Sequence, residues 1–145
     1  MKAVIQRVKR GSVSVEGKCL GAIDKGIVAL IALEPQDNES GMKKLVEKIL
    51  KYRIFSDEND HMNLSLRDVQ GGLLLISQFT LAANTNSGLR PSFDTAMKPS
   101  EAQELFAKLI AYAKQLWPYV ECGEFGADMQ VELINDGPVT FILTV

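Results

Sequence analysis

Residues 2–8 and 12–16 alternate apolar and polar side chains on either side of Lys9-Arg10-Gly11, the two-residue period of half-buried strands joined by a tight turn. A hairpin is therefore expected at the start of the chain. After Gly17, segments 18–24 and 26–34 continue the strand pattern. The second of these is apolar throughout Ile27-Val28-Ala29-Leu30-Ile31-Ala32-Leu33, as strands covered on both faces are. From about Asn38 the period changes: Met42, Leu45, Val46, Ile49 and Leu50 fall on one helical face, with Lys43, Lys44 and Lys48 off it. That spacing predicts a helix running to about Tyr52.

The segment Ser56-Asp57-Glu58-Asn59-Asp60-His61-Met62-Asn63 carries turn chemistry and reads as a loop. Gly71-Gly72 opens a buried strand over 73–81 that turns polar at Ser77-Gln78-Phe79-Thr80. A loop from Ala83 to Pro99 follows. Ser100 and Gln103 have the spacing of a capping box that starts a second helix, with its apolar stripe on Leu105, Phe106, Leu109, Ile110, Ala113 and Leu116 and its stop at Pro118. The remainder predicts strands at about 119–124, 128–134 and 139–145. Many strands with two main helices imply an α/β protein of layered, mixed β-sheets covered by helices on one side. With no repeat or linker in 145 residues, a single domain over 1–145 is expected.

Composition narrows the function. With 46% hydrophobic and 23% charged residues, a sizeable core is available. No apolar run approaches the ~20 residues that span a bilayer, and the first residues do not read as a leader, so a cytoplasmic protein with no membrane partner is expected. Cys19 and Cys122 form no CxxC pair, and a lone His61 cannot complete a zinc set with them. Both cysteines are expected to be reduced packing residues, and His61 an idle loop residue. A net charge of −2 disfavours a broad grip on duplex nucleic acid. The basic clusters Arg7/Lys9/Arg10 and Lys43/Lys44/Lys48/Lys51/Arg53 read as solvated faces or as a local footprint for a short RNA end.

No Gly-rich phosphate loop, G-x-S-x-G elbow or H-E-x-x-H occurs. Three segments carry possible chemistry. Ser77-Gln78-Phe79-Thr80 is either a strand end tied to neighbouring loops or a pocket floor, where a hydroxyl and backbone N–H groups face a carbonyl that gains negative charge. If it is a strand, Gln78 and Thr80 share one face. Asn135-Asp136-Gly137-Pro138-Val139-Thr140 has the chemistry of a turn between two strands. Asn86-Ser87-Gly88-Leu89-Arg90-Pro91-Ser92-Phe93 places an arginine in a Gly/Pro frame, able to hold an anion or simply to close a loop.

Taken together, the sequence resembles the D-aminoacyl-tRNA deacylase family, of the bacterial D-tyrosyl-tRNA deacylase type. The resemblance rests on Ala3-Val4-Ile5-Gln6-Arg7-Val8, Ser77-Gln78-Phe79-Thr80-Leu81, Arg90-Pro91-Ser92-Phe93, Phe125-Gly126-Ala127-Asp128-Met129-Gln130-Val131 and Asn135-Asp136-Gly137-Pro138-Val139-Thr140, in the family's order. It implies a three-layer α/β/β fold and a homodimer with active sites at the subunit boundary. It implies Ser77, Gln78, Phe79 and Thr80 as the catalytic pocket. Gly137 and Pro138 would form a cis dipeptide that reaches into the partner's pocket and excludes L-aminoacyl esters. Arg7, Arg90, Pro91, Phe125, Met129 and Asn135 are implied as contacts to the aminoacyl-tRNA acceptor end. No cofactor or metal is implied. Glycine has no side chain to exclude, so glycyl-tRNA mischarged on alanine tRNA would also be a substrate. The sequence departs from the family pattern at Thr85-Asn86-Ser87, before Gly88, where a basic residue is usual; Arg90 remains.

Two other readings fit the residues: a general small-ester hydrolase with Thr80 or Ser77 as nucleophile, and a non-catalytic dimeric module that binds RNA ends or another protein. The absence of a base beside Thr80 in the sequence favours assistance by the substrate's own 2′-hydroxyl over attack by Thr80.

Overall fold

The computed structural model describes residues 1–145. The first element, β1 (Lys2–Val15), is one continuous strand, so the hairpin expected at Lys9-Arg10-Gly11 is absent. The turn lies at Glu16-Gly17, both at positive φ (49° and 79°), and leads into β2 (Lys18–Ile23). Gly11 misled the reading because it is buried, and its role is close packing: a Cβ there would lie 2.7 Å from Val28 Cγ2.

Next come β3 (Gly26–Ala32) and α1 (Glu39–Lys51), whose first turn is capped by Asn38 accepting from the Gly41 N–H at 3.0 Å. The segment read as a loop at 56–63 holds a small hairpin, β4 (Phe55–Ser56) and β5 (Met62–Leu64). A four-residue helix, α2 (Leu66–Val69), follows it. Then β6 (Gly72–Ser77) leads into a single 3₁₀ turn, Phe79–Ala82. The longest helix, α3 (Pro99–Leu116), begins one residue before the expected cap. Its N-cap is Lys98, which makes no side-chain cap hydrogen bond, and the Ser100/Gln103 capping box does not form. Proline at the first helical position supplies the start, since its missing N–H is not needed there.

The chain ends with β7 (Val120–Cys122) and β8 (Gln130–Thr144). The two strands expected at 128–134 and 139–145 are thus one strand with an interruption. While β1 advances from Gln6 to Val8, its partner β8 runs from Thr140 back to Asn135, so residues 136–139 bow out of the ladder.

Neighbours in the main sheet are β2-β1-β3-β6-β7, with β8 along the other side of β1. The β3–β6 and β6–β7 pairs are parallel and those of β1 are antiparallel, giving the expected mixed sheet. Alternation along the central strands fills two cores. Ile27, Ala29 and Ile31 of β3, with Leu73 and Leu75 of β6, join the large cluster that includes Met42, Leu45 and Ile49 of α1 and Phe106 and Leu109 of α3. Val28, Leu74 and Ile76 face the other way, against Val8, Val13 and Ile23. Helices, central sheet, and the far half of β1 with β2 and the start of β8 therefore make three layers, α/β/β.

Candidate active site

The central strands β3 and β6 run parallel, and between their C-terminal ends opens a cleft of about 550 Å³, the usual place for a ligand on a parallel sheet. Ile31 of β3 and Leu33 just past it line the cleft, as do Ser77 of β6 with Gln78 and Phe79 that follow it, and Met97, Ala102 and Phe106 from α3 and its approach. Phe125 closes it from the loop after β7, packing on Phe106 with ring centroids 6.0 Å apart. The walls are largely apolar, so the few polar groups at the floor set how a ligand can sit.

That floor exists because the β6 ladder stops at Ser77. The Gln78 N–H still donates to the Ile31 carbonyl at 2.8 Å, and the backbone then turns into 3₁₀ geometry. Strand alternation therefore does not apply to Gln78 and Thr80; the turn brings them together instead, with Gln78 Nε2 donating to Thr80 Oγ1. The first N–H groups of such a turn have no partner inside it, and no side chain or loop carbonyl accepts from those of Phe79 and Thr80; Phe79 lines the cleft, whereas Thr80 lies exposed beside it. Thr80 Oγ1 is held by an amide and by no basic side chain.

The long loop returns to the same place. Asn84 and Ser92 pair through both backbone groups at 2.8 and 3.1 Å, and the Phe93 ring packs on Phe79 at 5.0 Å. Arg90 and Pro91 lie exposed beyond this pair, outside the cleft. Sequence reasoning missed Phe93 as a wall residue, as well as Met97, Ala102 and Phe106. The signal for Phe93 was its place as the one aromatic residue of the loop, at the end of Arg90-Pro91-Ser92-Phe93.

The other expected site residues gather elsewhere. Asn135 ties off the bulge of β8: its Oδ1 accepts from the Val139 N–H at 2.7 Å and its Nδ2 donates to Thr140 Oγ1 at 3.0 Å. Arg7 clamps the same bulge, donating from Nε to the Asp136 carbonyl at 2.9 Å and from Nη1 to the Ile54 carbonyl at 2.8 Å. Its guanidinium is thereby engaged within the protein. Between them the Gly137-Pro138 peptide is cis and both residues are exposed. Arg7 is paired with Ile27, four residues before Ile31 on β3, so this corner lies about 13 Å along the strand from the cleft. Within one chain the two groups do not meet. Met129 is half-buried and packs on the smaller core.

Cys122 packs against the large core, but Cys19 is exposed on β2, contrary to the expected packing role. His61 is exposed between β4 and β5. No group of three or more His, Cys, Asp or Glu side chains is placed to hold a metal ion, and no helix is long and apolar enough to cross a membrane.

A three-layer α/β/β domain with a preformed apolar cleft at the end of its parallel strands, beside a 3₁₀ turn, defines the structural class. The family model of D-Tyr-tRNA(Tyr) deacylase matches residues 4–144. A D-aminoacyl-tRNA deacylase of Pseudomonas fluorescens is 57% identical over 143 residues, 99% of each chain, and one of Ectopseudomonas mendocina is 54% identical over the full length of both. Among solved structures, the c-Myc DNA Unwinding Element Binding Protein superposes with a TM-score of 0.95 at 38% identity, covering 100% of this chain and 99% of that one. A probable eukaryotic D-amino acid tRNA deacylase shares the fold at a TM-score of 0.85 and 15% identity, covering 98% and 97%. This chain belongs to the D-Tyr-tRNA(Tyr) deacylase family.

Proposed function

We propose that this protein is a homodimeric ester hydrolase that releases the D-amino acid from D-aminoacyl-tRNA in the cytoplasm, and glycine from glycyl-tRNA mischarged on alanine tRNA, without a metal. It thereby proofreads chirality in translation. The observation that carries the reading is the 3₁₀ turn at the end of β6, whose first N–H groups, at Phe79 and Thr80, have no side-chain or loop partner and stand beside an apolar cleft that Phe79 lines.

Donors fixed where negative charge develops typically supply ~3–4 kcal/mol each towards the transition state. In the proposed reaction the ester carbonyl lies over these amides, and Phe79, Phe93 and Phe125 enclose the terminal nucleoside. A water, assisted by the neighbouring 2′-hydroxyl of the terminal adenosine, attacks the carbonyl carbon. The tetrahedral intermediate then collapses, the ester C–O bond breaks and the proton passes to the departing 3′-oxygen. Thr80 acts through position and not as a nucleophile, because its hydroxyl has only the Gln78 amide beside it.

Selection against L esters is assigned to Gly137 and Pro138 of a second copy. They are exposed and distant from their own cleft, but clamped by Arg7 and Asn135 into a stiff corner suited to insertion. Such a corner blocks one hand of the α-carbon by occupying the volume its side chain needs.

The test offers chelator-treated protein matched D- and L-tyrosyl-tRNA together with glycyl-tRNA. Hydrolysis of the D and glycyl esters with the L ester spared is expected. Equal hydrolysis of both enantiomers, or none of the D ester, rejects the reading.

A further inference from the structure

The residues from Glu39 to Arg53 carry five basic side chains and two acidic ones, in a chain whose net charge is −2. Met42, Leu45, Val46, Ile49 and Leu50 turn one side of α1 into the core. The helical period then sets Lys44, Lys48 and Lys51 in one stripe on the side facing away, and all three are exposed. Lys51 pairs with Glu47 at 3.5 Å, but Lys44 and Lys48 form no ion pair. Neither carboxylate of the helix is free to serve them: Glu39 is taken by Lys108 at 2.7 Å, and Glu47 also accepts from the Tyr112 hydroxyl at 2.9 Å. Arg67 of α2 stands close to the same Glu47, and its shielded Nε has no hydrogen-bond partner. The outer side of α3 differs, since Glu101 and Glu104 there match Lys108 and Lys114. A line of uncompensated ammonium groups on a rigid helix has the chemistry of a contact to regularly spaced phosphates.

Resting on the deacylase reading, we propose that the outer face of α1 docks the double-helical arm of the tRNA, with Lys44 and Lys48 on backbone phosphates and Lys51 at the end of the track. The position fits. Ala102 of α3 walls the cleft, and Tyr112, farther along the same helix, meets Lys43 and Glu47 of α1. At 1.5 Å per residue the two are about 15 Å apart, and the stripe from Lys44 to Lys51 runs for about 10 Å more. An RNA whose terminal nucleoside sits in the cleft therefore meets α1 only with the helix behind its single-stranded end. Phosphate contacts hold an RNA duplex by its shape and not its sequence, so the face serves tRNAs of different identity alike. Two free lysines make a narrow footprint, which a net charge of −2 allows. The face adds affinity without touching the ester, so its loss raises KM and leaves kcat unaltered.

Two substrates separate the effects: D-tyrosyl-tRNA, and the D-tyrosyl ester of the trinucleotide CCA, which keeps the 3′ end and lacks the helix. The double variant Lys44→Gln/Lys48→Gln is expected to raise KM for D-tyrosyl-tRNA about tenfold at constant kcat, and to cleave the trinucleotide ester with wild-type KM and kcat. Its slope of log KM against log salt concentration on the tRNA substrate should fall by about 1.8, the value of two duplex phosphate contacts at about 0.9 each. Lys18→Gln, which removes an exposed cation from β2 in the opposite layer, should keep the wild-type slope. Unchanged KM and slope in the double variant overturn the inference, as does an equal loss on both substrates or the same loss per charge in Lys18→Gln. Wild-type protein that cleaves neither ester rejects the deacylase reading, and this role of α1 with it.

Discussion

Gly137 is the residue on which the proposed selectivity turns. Its φ of +150° is open to glycine but rarely to other residues, and an added Cβ would lie 2.6 Å from Val139 Cγ2 and 2.8 Å from the Val139 nitrogen. The Val139 N–H is held by Asn135, so the backbone has little room to yield. Gly137→Ala is therefore expected to displace the corner and to lower the ratio of D- to L-tyrosyl-tRNA hydrolysis roughly tenfold, about 1.4 kcal/mol of lost discrimination, while the far-ultraviolet circular dichroism stays that of the folded protein. Unchanged discrimination in a folded variant would place the guard elsewhere. The residue types of this corner were plain in the sequence. The Arg7 clamp was not, because nothing in Gln6-Arg7-Val8 reveals that the side chain bends to two backbone carbonyls far along the chain.

At the scale of elements, helices and central strands were legible because each has a strong period. Met42, Leu45, Val46, Ile49 and Leu50 are all buried, as their spacing requires. Among the strands of the main sheet, the reading failed at a glycine and at changes in ladder pairing. Gly11 resembles a turn residue but sits where β1 crosses the inner layer, and Val28, β-branched and stiff at χ1, fills the space its Cβ would need. Gly11→Ala should cost ~1–3 kcal/mol through overpacking, seen as a lower midpoint in urea at unchanged m value; an unaltered midpoint would mean that the layers separate easily. The end of β6 was misread for a related reason. Hydrophobicity continues through Phe79 and Leu81, but the ladder partner on β3 ends at Ile31, opposite Ser77, and the chain turns there. The floor of the cleft is thus set by strand length, which composition does not record.

For the whole molecule, mixed sheets covered by helices on one side followed from the count of strands and helices and the three-layer order from the family resemblance, whereas the cleft depends on α3 and the long loop coming over one end of the sheet. The charges that pin the outer elements also set the response to acid. The Ser65 N–H and hydroxyl hold the Asp68 carboxyl below its usual range, the His61 N–H does the same for Asp57, and the Tyr112 hydroxyl, followed by Lys51, does so for Glu47. Because these groups ionise at lower pH in the folded state than in the unfolded chain, their stabilisation is complete above the ordinary carboxylate range, about pH 4. It is lost as pH falls through their depressed values. Thermal midpoints should accordingly be level from pH 7 to about 5 and fall below about pH 4. A midpoint that rises on acidification would contradict these assignments.

The bow at residues 136–139 has an effect on solubility as well. Along its outer rim β8 has no neighbour in the chain, and a straight strand of that length, with Val131, Ile134 and Ile142 exposed, is a template on which foreign strands can stack into fibres. The bow divides the rim into two short runs on either side of Pro138, which has no N–H to offer. The corner proposed to select substrates thereby also guards the protein against open-ended association.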